Sequence, residues 1–537
     1  MSSGNRDQGL VKSAGVVSLA ISLSRITGLL RESVLSWLFG ATAVFDAYVL
    51  GVRIPMLARE LFAEGALSAA FIPTFTRYQT TKGDAAAREL SNITATLTMV
   101  IVGSLCVAGM LAAPLLVDLF APGFHAIPGK WELAVTLTRI MFPFLLFVSL
   151  AAQAQGILNA NHQFGLPAVS SGVFNLISVA AGLAIGHFTS LGAVYGMATG
   201  VLLGGVAQVA FHLPAVWRTG FAWRPQWNLQ HEGVRQILFL MGPALLGSAS
   251  GQINVLVNTN LAAGLRDAAG HVMNGPVSWL NYAFRFLQLP MGVFAFAIAS
   301  ATLPRMARSA AVANWPEFRE TLSRSLIMIF LLTMPAAAGL IVLGESMIAL
   351  VYQHGKFLPS DTHQTALALS GYALGLVGAA SLRLITPAFY ALGDSRTPMY
   401  VSLSSIAVNF VAVYSLVNFA GFGHVALALS AATVSTFTAI TLLLLLRPRI
   451  GGIGGKLLFS SFARIAVAAL ATAAAAYLAK LASHRFFPGK TANIFDVAVG
   501  VPLGGIAFYF AATALRVPAL TEARERILSK FRVGAPK

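Results

Sequence analysis

A chain of 537 residues that is 57% hydrophobic and only 10% charged, with a mean hydropathy of +0.75, cannot cover a water-facing surface; soluble domains carry about a quarter charged residues. Its formal charge of +17 and basic C-terminal tail are read as juxtamembrane charge, not as a nucleic-acid site. Apolar runs such as 97–116 and 431–446 match the roughly 20 residues that a bilayer-spanning helix needs and lack the ten-residue alternation of a membrane barrel.

Taken in chain order, the apolar runs predict an all-α polytopic membrane protein with fourteen spans. They lie near 14–39, 43–70, 91–120, 132–159, 164–188, 191–214, 235–263, 278–303, 321–344, 363–391, 398–419, 422–446, 460–482 and 494–515. The first 13 residues are polar, and the run that follows contains Arg25 and Arg31, too long and too charged for a cleaved signal peptide; the first span is expected to be retained. With loops taken alternately, 23 basic residues fall on the side of the two termini, 5 on the other and 8 within spans. That asymmetry places both termini in the cytoplasm by the positive-inside rule.

The first two spans carry charges that a bilayer does not tolerate idly, since each costs about 3 kcal/mol at the membrane centre. Arg25 lies near the middle of the first span; Arg31 follows it, and Glu32 is seven residues beyond Arg25, on the same face. In the second span Asp46, Arg53, Glu60 and Glu64 sit at i, i+7, i+14 and i+18, one stripe at 100° per residue. Arg59 points away from it on an ideal helix, although Pro55 kinks the span and re-aims its last turns. Farther along come Arg139, Arg285, five residues before Pro290, and Arg383. Pairing with acids, as of Arg53 with Asp46 or Glu60, is a purely structural alternative. It is weakest for Arg25, Arg31 and Arg285, because over all these membrane charges seven arginines stand against four acids. Surplus arginine in a membrane cavity suits a phosphate or diphosphate, whose oxygens match the planar guanidinium fork.

No phosphate-cradling glycine loop, metal-binding histidine pair or nucleophile motif appears, so no enzyme chemistry, cofactor or metal is expected. The single cysteine, Cys106, excludes an internal disulfide. A repeat at an offset of 234 residues aligns the segment from Leu158 with that from Leu392; each has a polar turn, paired serines (Ser170–Ser171, Ser404–Ser405) and an asparagine (Asn175, Asn409). It divides the chain into an N-terminal six-helix lobe (1–225), a second six-helix lobe (226–450) and a terminal pair of helices with the basic tail (451–537). Repeated halves are typical of transporters that alternate access around a central site.

The segments SRITGLLRE (24–32), FDAYVLGVRIPMLARELFAEGALSAAFIP (45–73) and NYAFRFLQLPMGVFAFAIASATLP (281–304) resemble signature stretches of the MurJ (MviN) family of lipid II flippases, as do APGF (121–124), MGPALLG (241–247) and YQHGKF (352–357). The resemblance spans the whole chain. It implies the multidrug/oligosaccharidyl-lipid/polysaccharide exporter fold in a bacterial inner membrane. The implied substrate is lipid II, the undecaprenyl-diphosphate-linked peptidoglycan precursor, with membrane lipids and proteins of cell-wall synthesis as partners. Arg25, Arg31, Arg59 and Arg285 match the family's important arginines; Arg31 and Arg285 contact the diphosphate by this likeness and Glu32 orients Arg31. Asp46, Glu64 and Gly65 also match the family's pattern; Asp46, Arg53 and Glu64 are supporting charges, and the helix pair 451–537 forms a groove for the lipid tail. Glu32 stands where many relatives have aspartate. Neutral Asn254, Asn258 and Asn409 stand in the helices where some relatives hold sodium, leaving the membrane potential as a drive, at about 2.3 kcal/mol per charge per 100 mV. Rival readings are a flippase for another undecaprenyl-diphosphate-linked oligosaccharide, an ion-coupled multidrug exporter of the same fold, which normally needs an acidic cavity, and a non-transporting scaffold for cell-wall enzymes.

Overall fold

The computed structural model describes residues 24–61, 67–161, 163–190, 192–418, 421–518 and 520. Among them all regular structure is helical, and the chain separates into two compact units, Met1–Ser278 and Trp279–Lys537. The first unit contains α1 (24–39), α2 (Ala43–Arg59), α3 (Ser68–Leu111), α4 (Ala113–Phe120), α5 (Lys130–Met141), α6 (Phe144–Ala160), α7 (Gly165–Phe188), α8 (Ala193–Arg218) and α9 (Glu232–Ala263). At the division comes α10 (Pro276–Pro290). The second unit continues with α11 (Phe296–Ala311), α12 (Trp315–Tyr352), α13 (Pro359–Leu374), α14 (Leu376–Ala391), α15 (Arg396–Asn418), α16 (Gly423–Arg449), α17 (Gly455–Phe486) and α18 (Gly489–Ala514).

Ten helical stretches among the described residues are long and apolar enough to cross a bilayer, or eleven if α13 and α14, bent by 44°, form one span. The predicted count of fourteen also takes in α1, α2 and α9. Of these, α2 has only 17 residues and α9 is diluted by Gln252, Asn254, Asn258 and Asn260. The expected all-α membrane architecture holds, and length and composition support ten or eleven of its spans.

Some boundaries differ from the sequence reading for identifiable reasons. Where a loop is expected at 71–90, the backbone is helical, and the run Ala85–Leu90 is made of strong helix formers; only Gly83, at φ 84°, breaks it. The span expected at 278–303 is interrupted by a π-helical turn, Met291–Ala295, directly after Pro290. Proline lacks the N–H and clashes with the preceding turn, and a widened turn absorbs the misfit. Asp394 closes the polar turn before α15, accepting from the backbone N–H groups of Arg396 (2.9 Å) and Thr397 (3.0 Å). Burial opposes its charge, but Thr397 and the Arg449 guanidinium hold its carboxyl down at about 2.

In the first unit, buried Phe71, Phe75, Leu90 and Leu158 form a core where α3 meets α6. In the second, α12 is the central post: α11, α13, α14, α17 and α18 all pack on it, and its Phe318, Leu322, Leu326 and Ile329 form a core with α11, α14, α17 and α18. Helices in lipid gain little from hydrophobicity against one another and depend on close van der Waals approach. A close backbone approach joins α7 to α8, where a Cβ added at Gly200 would lie 2.2 Å from the Ser178 carbonyl oxygen. Gly200→Ala is therefore expected to force these helices apart and destabilise the first unit by about 1–3 kcal/mol, readable as a lowered melting temperature of the purified protein. An unchanged melting curve would contradict that packing.

Candidate functional site

The charged residues of the first hairpin acquire distinct surroundings. Arg31, on α1, is 8% exposed and Glu32 only 2%. Arg31 Nη2 lies 3.0 Å from Glu32 Oε1, and its guanidinium carbon stands 5.6 Å from the centre of the Phe174 ring on α7. The same helix is fastened to α7 by Asn175, whose amide donates to the Thr27 hydroxyl (3.3 Å) and the Ser24 carbonyl (3.4 Å). Helix α1 thus carries a buried ion pair whose planar cation is fixed by an acid on one side and an aromatic face on another. This restraint preorganises the guanidinium fork, a shape that matches phosphate oxygens. Arg25 lies on an exposed face of α1.

On α2, Arg53 is half-buried and its Nη1 donates to the Thr259 hydroxyl of α9 at 2.8 Å. One turn past the proline-bearing stretch, Glu60 accepts from the Gln252 amide, also on α9, at 2.7 Å. Two polar links therefore tie the charged stripe of α2 to α9, and the partners on α9 are among the polar residues that dilute its apolar run. Arg59 is half-buried at the end of α2. Glu64 and Gly65 lie outside the described residues.

Asp46 has a different environment. It is 0% exposed, and so nearly is Lys130 at 2%, whose ammonium approaches it to 2.8 Å. The backbone N–H groups of Gly275 and Ser278 each donate to the carboxylate at 2.9 Å, and the Ser278 hydroxyl adds a further bond. Lys130 also reaches the Asn274 side chain (3.1 Å) and the Phe124 ring (4.3 Å). Asp46 thus serves the orphan N–H groups at the start of α10 and neutralises a buried lysine. Lys130 is a residue the sequence reading counts with the loops. Its signal was modest: a lysine opening a helix that follows an APGF turn.

Arg285 belongs to the second unit, on α10, and is half-buried. Its neighbours fix the helix that bears it. Tyr282 packs on Tyr352 (centroids 4.7 Å) and Phe357 (5.2 Å), and Phe286 meets Tyr352 edge-on at 5.5 Å. The YQHGKF stretch that closes α12 thus supplies the aromatic bed for α10. Phe284 stacks edge-to-face with Tyr372 of α13 at 5.6 Å. With the aromatic residues anchored on one side, the π turn one step beyond Pro290 sets the direction in which α10 ends.

Among the described residues no group of three or more His, Cys, Asp or Glu is placed to hold a metal ion. One buried carboxylate escaped the sequence reading altogether: Asp496, in the last apolar span, 0% exposed. An acid inside an apolar run was the available signal.

A family profile described as "Lipid II flippase MurJ" matches residues 35–495. The lipid II flippase MurJ of Burkholderia cenocepacia is 33% identical over 431 residues, covering 80% of this chain and 82% of that protein. Among solved structures, lipid II flippase MurJ in an inward closed conformation superposes with a TM-score of 0.76 at 23% identity, over 93% of this chain and 99% of the other. An inward-facing MATE multidrug resistance transporter of the MOP superfamily gives 0.66 at 16% identity, over 81% and 94%.

Proposed function

Given that the chain belongs to the lipid II flippase MurJ family, within the multidrug/oligosaccharidyl-lipid/polysaccharide exporter superfamily, we propose that it moves lipid II from the cytoplasmic to the periplasmic leaflet by alternating access. It is a transporter, not an enzyme. The diphosphate is the recognised group, and Arg25, Arg31, Arg59 and Arg285 are its cationic contacts. Glu32 orients Arg31, and Asp46, Arg53 and Glu64 supply the surrounding charge. Repeat lobes 1–225 and 226–450 alternate access, and the terminal helix pair accommodates the lipid tail. Both termini face the cytoplasm of a bacterial inner membrane.

The observation that carries this reading is the buried Arg31–Glu32 pair of α1 set against the Phe174 ring. An arginine kept in a membrane helix at this cost is a functional residue by default, and its geometry favours an anion with several oxygens over a cationic drug. The test is growth after depletion of a host's own lipid II flippase. Expression of this chain is expected to restore growth; insertion at normal levels without restoration points instead to another diphosphate-linked glycan lipid.

A further inference from the structure

The second unit contains a polar junction apart from the residues assigned above to the diphosphate. Asp496, on α18, is fully buried, yet its carboxylate is met from two other helices. The Ser346 hydroxyl of α12 donates to Oδ2, the Ser483 hydroxyl of α17 donates to Oδ1, and His484 Nε2 of α17 stands 2.9 Å from Oδ2. One turn away on α17, Lys480 donates to Glu345 of α12 at 3.2 Å. Adjacent residues of α12, Glu345 and Ser346, thus both hold the end of the hairpin where α17 turns into α18.

The rest of the contact is of another kind. Along the hairpin, Gly500 of α18 lies against Leu343 of α12, and Phe330 of α12 meets Phe462 of α17 edge-on at 5.4 Å, apolar contacts that carry no directional bond. A buried carboxylate does carry direction. It is costly unless hydrogen-bonded on both oxygens, and three donors drawn from two helices meet that demand only while α12, α17 and α18 keep one register.

We propose that Asp496 is the clasp that locks the α17–α18 hairpin to α12, so that the hairpin travels with α12 as one mechanical body during transport. Asp496 is then a positioning residue. Its consequence for transport rests on the flippase reading; the clasp itself does not.

The test is hydrogen exchange on the full-length protein in detergent, with Asp496→Asn and the milder Ser346→Ala, which removes only the donor from α12. Loss of hydrogen bonds to a charged group predicts exchange about tenfold faster across 479–496 in Asp496→Asn. Ser346→Ala should show a smaller rise, with 315–330 of α12 unchanged in both. Wild-type exchange in both variants overturns the clasp; if Asp496→Asn does not accumulate, Ser346→Ala decides. In the depletion assay, Asp496→Asn is expected to restore growth poorly at normal membrane levels. Full restoration together with accelerated exchange overturns the transport role and leaves the clasp standing. Failure of the wild-type chain to restore growth overturns the flippase reading while the exchange result still decides the clasp.

Discussion

Arg31→Ala and Arg285→Ala are each expected to abolish growth restoration while the protein inserts in the membrane at wild-type levels. Removing one partner of a desolvated charge pair costs roughly 2–5 kcal/mol, on the order of 100-fold in lipid II translocation. The structure indicates why each change leaves the helix that bears it in place. Arg285 stands on a helix whose packing is carried by Tyr282 and Phe286 against Tyr352. For Arg31, the attachment of α1 to α7 runs through Asn175, Thr27 and Ser24. Arg31→Ala also takes one partner from Glu32, so Arg31→Lys is the informative companion. It keeps the charge near Glu32 but replaces the fork by a point charge, and translocation intermediate between wild type and Arg31→Ala is expected. Full activity of Arg31→Ala, with membrane levels matched, would remove Arg31 from the mechanism.

The second large effect concerns the fold. Asp46→Ala is expected to destabilise the first unit by about 3–5 kcal/mol, because it leaves the Lys130 ammonium buried without its counter-charge. It also strips the acceptor from the N–H groups of Gly275 and Ser278. The double variant Asp46→Ala, Lys130→Met removes the stranded charge and should regain much of that loss, seen as a melting temperature between those of Asp46→Ala and wild type. If Asp46 acts through the start of α10, growth restoration should recover in parallel with stability. Recovery of stability without recovery of growth would assign Asp46 to the substrate instead. A melting temperature for Asp46→Ala equal to wild type would contradict the buried pair.

The helical membrane architecture was legible because apolar length is a one-dimensional property that the bilayer imposes on the sequence. Helix interruptions were less so. Pro290 marked a break, but whether a proline kinks or widens a turn depends on the packing around it, here the aromatic bed of Tyr352 and Phe357. The run 71–90 reads as a loop because it interrupts the apolar pattern with charged residues, Thr and Gly83, although residues of good helix propensity such as Ala85–Leu90 continue a helix beyond an apolar run. For the charges, sequence periodicity set Asp46, Arg53 and Glu60 on one stripe. Periodicity describes a single helix, whereas partners come from others: Asp46 meets Lys130 of α5, and Arg53 and Glu60 meet Thr259 and Gln252 of α9. Partners 84 or 206 residues away in the chain leave no local trace. Asp496 was missed for the opposite reason, as a lone acid with no local stripe to draw notice.

The central claim is that this chain transfers lipid II across a bilayer by means of its membrane arginines. Purified protein reconstituted in liposomes with fluorescent lipid II, probed by an impermeant quencher of the outer leaflet, tests it most directly. The expected result is loss of the protected lipid II pool with the wild-type chain and its persistence with Arg31→Ala and Arg285→Ala. A protected pool that persists with the wild-type chain, or that drains equally with the arginine variants, would contradict the claim.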